Sequence, residues 1–185
     1  MFQRWRKLNY ATTFAVLSLM TSAPVTAQET ATPADPSGDA GYFIQSGGAV
    51  KRKLAKTRTT QTVVPETATW YRLPLANLAY SVPVGQTDLF NVSFTAECRL
   101  FNGGADDYVR IRIMDLNTGV PLEPYDGGQA FCSADNYATY TGMWSKRLPA
   151  GVHNLQVELF IFDGAPAEAL SAWIDDWTFE VIIYE

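Results

Sequence analysis

With one histidine and two cysteines in 185 residues, this chain is short of the side chains that most metal and nucleophile chemistry requires. A zinc site needs clustered thiolates or imidazoles. Here His153 stands alone and Cys98 and Cys132 belong to no CxxC pair, so a zinc centre is not expected. No GxSxG nucleophile elbow appears either, and a catalytic histidine needs a nucleophile and an orienting group beside it. His153 follows a Pro-Ala-Gly-Val turn and is expected on the rim of the fold. No stretch reaches the roughly twenty apolar residues of a membrane span. No segment carries a sustained apolar stripe of helical period. The net charge of −5 argues against a nucleic-acid partner.

What is present begins at the N-terminus. Arg4, Arg6 and Lys7 form a basic region, Ala11 to Met20 a short apolar core, and Val25-Thr26-Ala27 a small-x-small site. These are the three parts of a secretory signal peptide, so residues 1–27 are expected to be removed and the protein to be secreted or periplasmic. Residues 28–41 hold prolines and small polar residues and read as a flexible leader. Residues 42–68, with Lys51, Arg52, Lys53, Lys56 and Arg58, read as a polar linker or an edge strand whose lysines discourage pairing. In an exported chain the even cysteine count points to a Cys98–Cys132 disulfide.

From Thr69 to the C-terminus short β-rich runs alternate with turns. Phe90, Val92, Phe94, Ala96, Cys98 and Leu100 share one parity, and Asn91, Ser93, Thr95, Glu97 and Arg99 share the other. That is a half-buried strand. Val109, Ile111 and Ile113 oppose Arg110 and Arg112 in the same way. Turn residues cluster in "NGGADD", "LNTGVP", "YDGGQ", "LPAGV" and "FDGAPAE". About eight such strands predict an all-β domain over 69–185, an antiparallel β-sandwich of jelly-roll or related Greek-key type.

The run "LPAGVHNLQVELFIF", a loop, and the closing "WIDDWTFEVIIYE" resemble the last hairpin of secreted bacterial β-sandwich modules. The domain as a whole is similar to the C1q and tumour-necrosis-factor-like jelly rolls. The resemblance covers residues 69–185 and implies a binding or assembly module. It assigns no site residue.

The paired aspartates Asp175 and Asp176 invite a catalytic reading. Neighbours in a strand point to opposite faces, whereas cooperating carboxylates must converge on one substrate. With Trp173, Trp177, Phe179, Val181 and Ile183 taken as the inward set, Asp175 points in and Asp176 out, and a structural role is expected. A non-catalytic secreted module is therefore expected, with a carbohydrate-binding module or a polysaccharide-acting enzyme as alternatives. Candidate ligand residues are the turn aspartates Asp106, Asp107 and Asp126 and the aromatics Tyr125 and Tyr137, at one end of the sandwich. Asp135 joins the acidic turns, whose oxygens suit calcium, although none matches the EF-hand spacing. The expected partners are a glycan or an extracellular protein. Finally, Phe160, Phe162, Ile182 and Tyr184 break the polar alternation in the last two strands. If those strands pair, the four form an outward apolar patch and a homo-oligomer interface.

Overall fold

The computed structural model describes residues 41–47, 50–125, 128–133, 137–164 and 169–185, the first of these as backbone only. The expected signal peptide, the leader up to residue 40, Asp126 and Asp135 lie outside the described residues. Among the described residues, nine strands form one hydrogen-bonded network in the order β1-β2-β9-β4-β8-β5-β6, with β3 pairing β9 and β7 pairing β5. They are β1 (Gly41–Gly47), β2 (Val50–Arg58), β3 (Thr62–Pro65), β4 (Tyr71–Phe101), β5 (Tyr108–Asp115), β6 (Val120–Pro121), β7 (Gln129–Ser133), β8 (Ala138–Phe162) and β9 (Ser171–Tyr184). Every pairing is antiparallel.

The network is a sandwich because β4 and β8 each belong to both layers. Residues 87–98 of β4 pair with 138–149 of β8, and residues 71–82 pair with 151–159. Between these stretches β4 spends residues 83–86 where β8 spends only Ala150. The strand on the outside of a bend has the longer path, and the surplus residues bulge out. Val84 is 98% exposed, and Gly85 and Gly151 take φ of 81° and 144° at the corner. The "LPAGV" signal is therefore a bend inside a continuous strand, not a chain reversal, and "VPVGQ" in β4 is its counterpart.

Layer one is β1-β2-β9, residues 87–101 of β4 and residues 138–149 of β8, with β3 beside the start of β9. Layer two is residues 71–82 of β4, residues 151–162 of β8, β5, and β6 with β7. Phe90, Val92, Phe94, Ala96, Cys98 and Leu100 all turn inward and are buried, as the alternation predicts. They meet layer two through Phe94 on Phe131 at 5.6 Å and Phe90 on His153 at 5.9 Å. The Cys98–Cys132 disulfide joins the layers near one end. Residues 42–68, left open between linker and edge strand, supply most of β1 and all of β2 and β3. Two of their cations are engaged within the fold: Lys51 pairs with buried Asp88, and Lys53 with Glu180.

Two expectations change. His153 is buried, not on the rim. Its Nδ1 lies 2.8 Å from Asp115 and its Nε2 2.8 Å from the Pro149 carbonyl, clamping the β8 corner to the end of β5. The inward set of β9 is also different. Ala172 and Ile174 are buried, and so are Trp177, Phe179, Val181 and Ile183, with the parity switching between them. Thr95 pairs with Thr178 and Glu97 with Asp175, so β9 holds one extra residue. Asp176 sits in that bulge at φ 41°. Trp173 and Asp175 therefore face outward.

Candidate functional site

The bulge determines what the outer face of layer one displays. Side chains before it alternate in one phase and those after it in the other, so Trp173, Asp175, Thr178 and Glu180 all emerge on the same side. Cross-strand register then sorts this face into rows. One row holds Val63, Trp173 and Arg99, which are direct partners across β3, β9 and β4. Tyr137, just before β8, closes it: its ring is 6.2 Å from Trp173 and 5.9 Å from the Arg99 guanidinium. Phe101 packs against Trp173 at 4.3 Å and lies under Arg99 at 4.3 Å. The next row pairs Glu97 with Asp175, flanked by Thr139. The row after that is Thr57, Thr178, Thr95 and Thr141, one from each of four adjacent strands. The Thr95 and Thr141 hydroxyls are 2.9 Å apart.

The chemistry of this face is mixed. Tyr137 is 42% exposed and Val63 53%. Arg99 stacks on rings but forms no ion pair among the described residues, and its Nε is buried without a hydrogen-bond partner. Asp175 accepts the Asp176 backbone N–H, so one carboxylate oxygen secures the bulge. Burial and then the Asp175 charge push the Tyr137 hydroxyl above its ordinary range, with Arg99 pulling the other way. The phenol thus stays protonated at neutral pH and can donate. Aromatic surface, cationic donor, anionic acceptors and hydroxyls lie within one sheet face.

The other sequence candidates are distributed differently. Asp107 is buried and its two oxygens accept the Gly104 and Gly164 amides, which hold its carboxyl below the usual range. It ties two loops together and has little left for a ligand. Asp106 is exposed in the same loop. Tyr125, 38% exposed, belongs to layer two, where Arg112 donates to its hydroxyl at 3.3 Å. It is not part of the Tyr137 face. Phe160 and Phe162 are also on layer two: Trp70 packs on Phe160, and Tyr108 and Arg110 cover Phe162. Ile182 and Tyr184 are on layer one, opposite Asn91 and Leu89. β8 and β9 do not pair with each other, since β4 lies between them, and all four side chains are half-buried. They form no single patch across paired strands.

Of the residues on this face, only Tyr137 is a candidate from the sequence; Arg99 and Glu97 carry no assignment there and Trp173 is expected inward. An unbroken phase through the Asp-Asp pair puts Trp173 inward, and the bulge reverses that. The available signal was that pair itself, two poor strand formers in an apolar run, which is where a bulge is cheapest.

No protein-family profile matches the chain, and no curated protein matches it. Among solved structures it is similar to the infectious bursal disease virus VP2 subviral particle, at 10% identity and TM-score 0.43, over 84% of this chain and 37% of that one. It is also similar to the CBM22-1 xylan-binding domain of Paenibacillus barcinonensis Xyn10C, at 14% identity and TM-score 0.30, over 78% and 81%. A third is the carbohydrate-binding module CBM6cm-2 of Cellvibrio mixtus lichenase 5A in complex with cellotriose, at 12% identity and TM-score 0.24, over 82% and 90%. At these identities and scores none bears on what this chain binds.

Proposed function

We propose that the protein is an extracellular glycan-binding module and that the Tyr137–Trp173–Arg99 row is its contact surface. The observation that carries this is the company the rings keep. Sugars present weakly apolar C–H faces and a rim of hydroxyls that donate and accept. A half-exposed tyrosine and tryptophan offer the apolar face a platform. Arg99 donates, and Glu97 and Asp175 accept, at its margin. A surface for a protein partner would need fewer charges at its centre. The cross-layer disulfide supports an exported location.

A panel of immobilised glycans, run with calcium and with chelator, tests the reading. Tyr137→Ala and Trp173→Ala are each expected to weaken binding about tenfold, the equivalent of roughly 1.4 kcal/mol. Tyr125→Ala, on the other layer, should leave it unchanged. Equal losses from all three variants, or from none, would refute the assignment.

One observation favours a second reading. Glu97 and Asp175 are direct cross-strand partners, whose Cβ atoms are about 5 Å apart by the geometry of such pairs. Retaining glycosidases hold two carboxyls about 5–5.5 Å apart, a spacing that side chains on neighbouring strands can reach. Yet both carboxyls are half-exposed and point the same way off an open sheet. A general acid is normally kept protonated by burial. Binding is therefore the better-supported function. Release of reducing ends that is abolished by Glu97→Gln or Asp175→Asn would reverse that judgement.

A further inference from the structure

We infer that the ligand is an uncharged linear oligosaccharide lying along the strands of layer one, from the Tyr137 row across the carboxylates to the threonine row. This rests on the glycan reading and adds the ligand's charge class, length and direction. The direction follows from register. Phe101, Arg99, Glu97 and Thr95 are successive outward positions of β4, and Trp173, Asp175 and Thr178 accompany them on β9. Six residues of strand separate Thr95 from Phe101, a path of about 20 Å. One sugar ring cannot touch both ends, whereas several rings laid end to end can.

The charge class follows from the balance along that path, where Arg99 supplies one cation against the two carboxylates of the middle row. Glu97 and Asp175 stand across that path, and neither has an ion-pair partner among the described residues. A uronic acid or sulfated unit crossing them would meet two like charges in partly desolvated surroundings. A neutral unit would instead donate its hydroxyls to them. The threonine row then offers hydroxyls from four adjacent strands, about 4.8 Å apart across the sheet. Thr95 and Thr141 already bond to each other, which fixes their rotamers before a ligand arrives. Preorganisation of this kind lowers the ordering cost of each added contact.

Calorimetric titration of the intact protein with cello-, xylo- and manno-oligosaccharides, from monosaccharide to hexasaccharide, tests the inference against oligogalacturonates of matched length. Neutral chains of at least one series should gain about tenfold in affinity between the disaccharide and the tetrasaccharide, then level off. Oligogalacturonates should bind at least tenfold more weakly. The double variant Thr95→Val with Thr141→Val keeps good strand formers in place, so it should fold. It should remove the gain with length, whereas Tyr137→Ala should weaken every length. Affinity that is flat with length, or preference for the galacturonates, would overturn this inference and leave the glycan reading intact. Absence of binding by every chain, with Tyr137→Ala indistinguishable from wild type, would overturn both.

Discussion

Single residues settle two questions that composition left open. Asp115 is a buried carboxylate at the end of β5. Burial pushes its pKa up, but hydrogen bonds from His153, Thr118, Asn154 and Asn117 outweigh that, and its carboxyl stays below the usual range. A depressed carboxylate adds stability that is complete above its unfolded pKa of about 3.9 and is lost as pH falls through the folded value. Asp115→Ala should therefore cost about 3 kcal/mol near neutrality, measured by urea denaturation, and should shrink the loss of stability below about pH 4. Gly142 is the second case. A Cβ there would lie 2.2 Å from the indole of Trp144, which is buried. Gly142→Ala should cost about 1–3 kcal/mol through overpacking. Nothing local to Asp115 marks it as the partner of a histidine 38 residues away.

Elements were legible where alternation was unbroken and illegible where it was interrupted. The inward face of β4 from Phe90 to Leu100, and that of β5, follow from period two alone, because one face is buried and any slip would expose it. The phase of β9 did not, since a bulge shifts the phase without leaving a unique residue pattern. Asp176 holds that bulge at positive φ, a conformation that costs most L residues about 1–2 kcal/mol. Asp176→Val should be destabilising by about that amount, while Asp176→Gly should stay within about 1 kcal/mol of wild type. Equal stability of the two variants in thermal melts would mean that the bulge is absent. The Cys98–Cys132 bond also belongs to this scale. Cys98 lies between Glu97 and Arg99, and Cys132 precedes Tyr137 by five residues. Replacing both with alanine should cost about 3–4 kcal/mol from loop closure, read as a lower urea midpoint. It should also weaken any ligand held by Tyr137.

At the scale of the whole molecule, the sandwich gives the two outer faces different fates. On the outer face of layer two the charges are paired within the fold: Glu158 is buried between Arg72 and Arg112, and Arg112 stacks on Trp70 at 4.1 Å, with Tyr125 at the exposed margin. That of layer one carries the exposed Tyr137 beside the half-buried Trp173, two carboxylates without an ion pair among the described residues, and hydroxyls in ordered rows. The sequence suggested an acidic and aromatic site at one loop end, and the disulfide does join the layers there. The aromatic surface is nevertheless on the sheet itself, since cross-strand register, invisible in a single sequence, brings residues 63, 97, 99, 137, 173 and 175 together. The claim that this face is the binding surface is tested most directly by amide chemical shifts of the labelled protein during titration with a neutral tetrasaccharide that binds. The account predicts saturable shifts at Thr95, Glu97, Arg99, Tyr137, Thr141, Trp173 and Asp175, with Arg110, Arg112 and Tyr125 unmoved. Shifts centred on Arg112 and Tyr125, with the Trp173 region silent, would contradict it.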